Sequence, residues 1–141
     1  MSIWHAPFTI ERLNHSFDVG LAPHLGIVFT AAGEDWLAAT MPVDGRTHQP
    51  MGLLHGGASL ALAETLGSVA ANLCVDFREV RCLGQEINAN HLRTLSTGVV
   101  TGTTRPVHIG KRSHVWQTEI RDPSAELVCI SRMTLAVVAA R

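Results

Sequence analysis

A long apolar stretch at residues 53–75, LLHGGASLALAETLGSVAANLCV, carries one formally charged side chain, Glu64. From about Gly57 to Cys74 the small and aliphatic residues favour a helix, and apolar residues fall on every side of it, which predicts a helix that is buried all round. At about 1.5 Å per residue this helix is roughly 25 Å long and crosses a small domain. An ionised carboxylate that is dry and unpaired is very costly, so Glu64 must shift its pKa, find donors or do chemistry. We therefore expect one buried central helix with a functional carboxylate at its middle.

The composition narrows the classes of function. A net charge of −1 and a pI near 6.7 do not favour a nucleic-acid-binding protein. The 53–75 stretch is long enough to span a membrane, but Glu64, His55 and Asn72 make it a poor lipid-facing helix. Three cysteines without a CxxC spacing, and an N-terminus unlike a signal peptide, predict a reduced, cytoplasmic protein. The eight histidines show no metal-ligand spacing such as HExxH, so no metal site is expected.

Strand patterns dominate the rest of the chain. Residues 7–17 have the spacing of a short amphipathic helix, and residues 25–44 predict a hairpin that turns at Gly33-Glu34-Asp35. Four further stretches rich in Thr, Val and Ile predict strands, at residues 80–91, 98–105, 113–121 and 126–138. Since no helix separates them, the sheet is expected to be antiparallel. We predict a single α+β domain over residues 1–141, and a dimer, because so short a sheet cannot enclose an apolar helix alone.

Two groups of residues are candidates for chemistry at the helix. Glu64 and Ser68 lie one turn apart on the same helix face. Their structural alternative is that Ser68 bonds the carbonyl of residue 64 while Glu64 reaches solvent. Residues 55–57, His-Gly-Gly, stand where the helix begins, so unpaired backbone N–H groups and the helix dipole suit an oxyanion hole, unless the glycines only ease a turn. Gln49, in the preceding loop, adds an amide for a bound carbonyl or a water.

Cations gather in the C-terminal half of the chain. The sequence NANHLR ends a predicted strand with His91 and Arg93, and RPVHIGKRS places basic side chains around Gly110. Cations at strand ends, assisted by backbone amides, suit a small polyanion, and the alternative is a solvated turn. The absence of GxSxG, P-loop and GxGxxG motifs disfavours a nucleophile-elbow serine hydrolase and the common nucleotide-binding folds.

Four segments together carry a resemblance to a known family. They are MPVDGRTHQPMGLLHGGASLALAETLGS, INANHLR, RPVHIGKRSHVWQTEI and SRMTLAVV, in that order and over nearly the whole chain. The sequence resembles the hotdog-fold acyl-CoA thioesterases, in the branch that contains the 1,4-dihydroxy-2-naphthoyl-CoA and enterobactin-pathway proofreading thioesterases. The resemblance implies a hotdog fold, in which a curved antiparallel sheet of five to six strands wraps a long central helix.

The resemblance also implies roles for the candidate catalytic residues. Glu64 matches the family's general base or nucleophile, and Gly56 matches the backbone N–H that polarises the thioester carbonyl. His55 and Gln49 match residues that position the thioester and the attacking water, and Ser68 matches a hydroxyl that assists them. In the family, Glu64 and Ser68 face Gln49 and Gly56 of a neighbouring subunit, so the implied assembly is a homodimer, usually paired again into a tetramer.

A coenzyme A site and an activity follow from the same resemblance. The matched positions are Gly84, His91, Arg93, Thr94, His108, Gly110, Lys111, Arg112 and Ser113. The implied reaction is hydrolysis of an acyl-CoA with an aromatic acyl group, such as hydroxynaphthoyl or hydroxybenzoyl, to free acid and coenzyme A without a cofactor. Two alternatives stay open: proofreading of a misacylated carrier protein, and non-catalytic binding of acyl-CoA. Residues 76–82, DFREVRC, differ from the relatives in length and charge and receive no role.

Overall fold

Three helices and six strands make up residues 1–140, the part of the chain that the computed structural model describes. The helices are α1 (Ile10–Ser16), α2 (Leu21–His24) and α3 (Gly56–Leu73), and the strands are β1 (Val28–Ala32), β2 (Leu37–Pro42), β3 (Val80–His91), β4 (Val99–Ile109), β5 (Ser113–Arg121) and β6 (Leu127–Ala139). The predicted helices, hairpin and later strands are all present, with shifted ends. Helix α2 was not predicted, because its four residues are too few to show a helical period.

All six strands join one antiparallel sheet in the order β1-β2-β4-β5-β6-β3, within the predicted five to six. Strand β4 runs past its predicted end at residue 105 and contains Pro106. The pairing between β2 and β4 ends at Thr104. The absence of an N–H at Pro106 therefore breaks no backbone hydrogen bond to β2. Strands β1 and β3 form the two edges of the sheet.

Helix α3 packs its most apolar face onto the sheet. Leu62 and Leu66 are fully buried, as are Trp116 of β5 and Leu135 of β6 in the same core. Gly102 of β4 permits the close approach, because a Cβ there would lie 2.7 Å from Leu66 Cδ1. Each fully buried leucine contributes about 1.5–3 kcal/mol to folding, so this contact fixes the position of the helix.

The opposite face of α3 is only half covered. Ala61, Glu64 and Ser68 follow one another along this face, and all three are intermediate in exposure. The prediction of a helix buried on every side is therefore wrong for the single chain, since the sheet covers one face and leaves the face of Glu64 partly open.

The outer edge of β3 is capped near one end by a side chain. Asn72 Nδ2 donates to the carbonyls of Ser68 and Cys82, both at 2.9 Å, and its Oδ1 accepts from the Cys82 N–H at 2.8 Å. These bonds tie the last turn of α3 to β3 and satisfy both backbone groups of Cys82. Apart from this contact with Asn72, β3 pairs only with β6 in residues 1–140.

The structure bears on the predicted state of the cysteines and on the long apolar stretch. The three cysteines are free thiols, and burial raises the pKa of Cys74 to about 12 and that of Cys82 to about 11, so both stay protonated. In the described chain, no helix combines the length and apolar character that crossing a membrane requires.

Candidate active site

Glu64 extends from the middle of α3 on the half-covered face of the helix. Partial burial raises the pKa of its carboxyl group, and the Ser68 hydroxyl, one turn later, offsets part of this rise. Thr65 donates to the Ala61 carbonyl at 2.7 Å, the usual bond of a hydroxyl inside a helix. Ser68 makes no such bond to residue 64 in the described chain, so its hydroxyl remains available to the carboxyl group, in contrast to the structural alternative.

Gly84 leaves the space that the Glu64 carboxylate occupies. A Cβ at this position of β3 would lie 2.6 Å from Glu64 Oε1 and 2.9 Å from Met133 Cε. The β3–β6 register also shifts between Gly84 and Glu86, and such bulges often re-aim residues beside active sites. The family resemblance implies that Gly84 contacts coenzyme A, and the structure shows that this residue also lies directly against the carboxylate.

Helix α3 begins at a capped turn. His55 is the N-cap residue, and its ring Nδ1 accepts a hydrogen bond of 2.7 Å from the Gly57 N–H. This bond uses Nδ1 as the acceptor and leaves the other ring nitrogen, Nε2, outside the cap. Within residues 1–140, the Gly56 N–H donates no hydrogen bond. Gly56 therefore offers a free donor at the positive end of the helix dipole, as an oxyanion site requires.

The loop before α3 is held in shape by hydrogen bonds. The Thr47 hydroxyl donates to the Pro42 carbonyl at 2.7 Å, and the Thr47 carbonyl accepts from the His55 N–H at 2.8 Å. Gln49 uses its side-chain oxygen to accept from the Met51 N–H. Its NH₂ group has no acceptor in the described chain and can donate to a carbonyl or a water.

The catalytic candidates do not converge within one chain. Glu64 lies eight residues after Gly56 on the same helix, a rise of about 12 Å along the axis. A single thioester carbonyl is too small to contact the Glu64 carboxylate and the Gly56 N–H of one helix together. Within one chain the candidate residues thus form two separate groups, which we call half-sites: one contains Glu64 and Ser68, and the other contains Gly56, His55 and Gln49.

His91 connects the Gly56 half-site to the first group of cations. A Cβ on Gly56 would lie 2.8 Å from His91 Nε2, so the imidazole ring packs against the start of α3. Beyond it is a cavity of about 490 Å³ lined by His91, Leu92, Arg93, Thr94, Leu95 and Asp122. Arg93 is exposed and pairs with Glu126 at 2.8 Å, a surface ion pair of small energy that a phosphate group can replace.

The second group of cations lies far from the first. This group begins with His108, near the end of β4, continues through Gly110, Lys111 and Arg112 in the β4–β5 turn, and ends with Ser113 at the start of β5. The bond from the Gly110 N–H to the Ser113 carbonyl, at 2.9 Å, closes the turn. Ser113 is level with Ala136 of β6, whereas the β6 partner of His91 is Cys129, seven residues away. At about 3.3 Å per residue, one chain separates the two groups by roughly 23 Å along the strands.

Comparison with known proteins identifies the family. The model of the thioesterase superfamily matches residues 51–129. A thioesterase of Haemophilus influenzae has a similar structure, with a TM-score of 0.94 and 48% identity over 97% of this chain and 95% of that one. A mutant thioesterase of Pseudomonas aeruginosa has a TM-score of 0.97 and 47% identity over 99% of this chain and 100% of that one. The predicted hotdog fold is confirmed.

Curated relatives agree over almost their whole length. The 1,4-dihydroxy-2-naphthoyl-CoA hydrolase of Escherichia coli is 49% identical over 136 residues, which cover 96% of this chain and 98% of that protein. The proofreading thioesterase EntH of Cronobacter sakazakii is 49% identical over 137 residues, 96% of this chain and 98% of its own. The sequence resemblance is thereby confirmed, and the chain belongs to the thioesterase superfamily as a thioester hydrolase.

Proposed function

We propose that the protein hydrolyses acyl-CoA thioesters, with Glu64 as the catalytic carboxylate of a site shared between two copies of the chain. The observation that carries this proposal is the Glu64 carboxyl group itself. It is partly buried, its pKa is raised, and it lies against Gly84, where a Cβ would come within 2.6 Å of Glu64 Oε1. Partial desolvation makes such a carboxylate a stronger base, which suits proton transfer from water.

The proposed chemistry needs a base or nucleophile and an oxyanion donor. As a base, Glu64 takes a proton from water while the water oxygen bonds to the thioester carbon; as a nucleophile, it forms an anhydride that water then opens. In both routes the carbonyl oxygen becomes negative and accepts from the Gly56 N–H of the other copy. In the base route the C–S bond then breaks, and the coenzyme A sulfur leaves with the proton that Glu64 took from water. In the nucleophile route the C–S bond breaks as the anhydride forms and the sulfur leaves as a thiolate; water then hydrolyses the anhydride, which releases the acid and restores the Glu64 carboxylate. Gln49 and His55 orient the carbonyl and the water, Ser68 orients Glu64, and no cofactor is required.

The two half-sites support a homodimer. A two-fold pairing of copies joins the Glu64 half-site of one to the Gly56 half-site of the other. Strand β3 offers a suitable surface, because one edge of this 12-residue strand has no partner strand in the described chain. Antiparallel pairing of two such edges also places the His91 end of one copy beside the Arg81 end of the other, which draws the two groups of cations together. Two dimers then form the proposed tetramer, and we assign the enzyme to the cytoplasm.

An aromatic acyl-CoA is the proposed substrate, and an acylated carrier protein is the second candidate. The first rests on the relative named 1,4-dihydroxy-2-naphthoyl-CoA hydrolase, and the second on the relative named proofreading thioesterase. Both substrates present a phosphate and a pantetheine thioester, so the exposed cations Lys111 and Arg112 serve either.

Free-thiol release from a panel of acyl thioesters tests the activity. The panel contains benzoyl-, hydroxybenzoyl-, naphthoyl- and straight-chain acyl-CoA, together with a hydroxybenzoyl carrier protein. Glu64→Gln is expected to abolish release and to keep the fold, whereas Glu11→Gln, on an exposed turn of α1, keeps wild-type rates. Release that persists in Glu64→Gln contradicts the catalytic role, and faster release from the carrier protein favours proofreading.

Subunit mixing tests the shared site. Glu64→Gln and Gln49→Ala are each expected to be inactive, because each breaks a different half-site. Mixed dimers keep one intact site, so reassembly from equal amounts restores roughly a quarter of wild-type activity. No recovery, with mixed dimers demonstrated by mass spectrometry, contradicts the shared site.

A further inference from the structure

One cation of the cavity beside His91 is already paired with a carboxylate. Arg93 lines this cavity of about 490 Å³, and its Nη2 donates to Glu126 Oε2 at 2.8 Å. Both side chains are 55% exposed, so water screens the pair and its energy is small. The guanidinium can therefore exchange partners, and any anion that enters the cavity competes with Glu126 for it.

The backbone holds Glu126 in place beside Arg93. In the turn between β5 and β6, the Glu126 N–H donates to Asp122 Oδ1 and the Glu126 carbonyl accepts from the Asp122 N–H, both at 3.0 Å. The Arg93 N–H, just after β3, donates to the Val128 carbonyl of β6 at 3.3 Å. Because both backbones are tied to the paired strands, the two half-exposed side chains are the parts that can move.

The Glu126 side chain serves no other partner. Its carboxylate has Arg93 as its one hydrogen-bond and ion-pair partner among residues 1–140. The Asp122 carboxylate, which also lines the cavity, instead accepts from the N–H groups of Ser124 and Glu126 and so shapes the turn. Loss of the Asp122 charge would disturb the backbone, whereas loss of the Glu126 charge changes only what Arg93 faces.

We propose that Glu126 is a competing counter-ion that weakens the hold of Arg93 on coenzyme A and so promotes release of this product. The inference rests on the proposed function, because it needs a phosphate of coenzyme A at Arg93. A bound phosphate displaces the carboxylate from the guanidinium, and the displaced carboxylate remains nearby as a like charge. Substrate and product carry the same phosphates, so Glu126 weakens both complexes equally and returns to Arg93 when coenzyme A leaves.

The substitution Glu126→Gln keeps the size of the side chain and removes its charge. The KM for benzoyl-CoA and the product-inhibition constant of coenzyme A are both expected to fall by about three- to five-fold, the range of an exposed charge pair. Asp35→Asn is the matched control, because Asp35 pairs with Arg105 at the same distance of 2.8 Å and the same 55% exposure, and neither residue lines the cavity. An unchanged or raised inhibition constant in Glu126→Gln, or an equal fall in Asp35→Asn, overturns the proposal.

Calorimetry with coenzyme A tests the role of Glu126 without turnover. The dissociation constant is expected to be about three- to five-fold lower in Glu126→Gln than in wild type, and salt at about 0.5 M should remove the difference. Benzoyl-pantetheine, which carries no phosphate, should be hydrolysed with the same kcat/KM by both proteins. Equal affinities for coenzyme A, or binding to neither protein, overturn the role of Glu126. If wild type binds coenzyme A but releases no thiol from any acyl thioester, the proposed hydrolysis fails, and the calorimetric comparison still decides the role of Glu126.

Discussion

The substitution Gly84→Ala, which adds one methyl group, should move the Glu64 carboxylate while leaving the stability of the fold almost unchanged. In Gly84→Ala the new Cβ would start 2.6 Å from Glu64 Oε1, and ordinary van der Waals contact begins near 3.4 Å. The carboxylate therefore has to move by about 0.8 Å, and a displacement near 1 Å can reduce a catalysed rate by about 100-fold. We expect kcat/KM to fall by up to about 100-fold, equivalent to roughly 2.7 kcal/mol of transition-state stabilisation.

The same substitution should hardly change stability. The atoms that the methyl group meets are the flexible ends of Glu64 and Met133, which can rotate away, and alanine is preferred over glycine in a strand by about 0.5–1 kcal/mol. The free energy of unfolding is therefore expected to stay within about 1 kcal/mol of wild type. The methyl group also excludes water from the carboxyl, so the acid limb of the kcat/KM profile should move to higher pH.

Steady-state kinetics on an aromatic acyl-CoA, combined with urea unfolding, measures both effects. Gly45→Ala is the matched control, because nothing lies within 4 Å of a Cβ at that position. Wild-type kcat/KM in a folded Gly84→Ala variant would refute the idea that Gly84 fixes the catalytic carboxylate. Equal kinetic losses in both variants would show that the effect is not specific to the contact with Glu64.

Three further substitutions test single features of the site. Burial raises the folded-state pKa of Glu64, so its ionised form opposes folding above that pKa; Glu64→Gln should raise the free energy of unfolding at pH 7, and the gain should vanish below about pH 4, where the unfolded carboxyl is also protonated. Urea titrations at the two pH values measure this, and an equal gain at both contradicts it. His55→Ala should cost about 1 kcal/mol by removing the N-cap bond, and His55→Asn should restore urea resistance without restoring thiol release. Asn72→Ala should cost about 2–4 kcal/mol, because both backbone groups of Cys82 lose their partner; hydrogen exchange at Cys82 reports the loss, and unchanged protection there would count against the cap.

The main elements of the fold were predictable because their signals are local. The stretch that became α3 has only one charge and many small residues, and the strands carry runs of Thr, Val and Ile bounded by turns. Helix α2 and the extension of β4 through Pro106 were not predicted. The first is too short to show a period, and the second depends on where β2 ends, which is a property of the sheet and not of the strand.

Site geometry was harder to predict than the identity of the candidate residues. Gly84 contacts Glu64 across 20 residues of sequence, through a register that a bulge shifts, so no spacing rule connects the two. A glycine inside a strand was the available signal, since such a glycine often marks a bulge or a close approach. Likewise His91 packs on Gly56, although sequence analysis placed them in different functional groups.

The arrangement of the cations shows that basic residues close together in the sequence need not lie close together in one chain. The cations of residues 91–93 and 108–112 are close in the sequence, but strand register puts the first group at one end of β3 and the second near the other. The two ends of a strand are separated by about 3.3 Å for each residue between them. Only pairing with a second chain that runs in the opposite direction brings one end of the strand beside the other end of its copy. The Gly56 and Glu64 half-sites of one chain are likewise held apart, in this case along the axis of α3. Helix and sheet therefore support, each on its own, the proposal that the two parts of the site come from different copies. If this proposal is right, a single disruption of the β3 edge should remove catalysis and coenzyme A binding together.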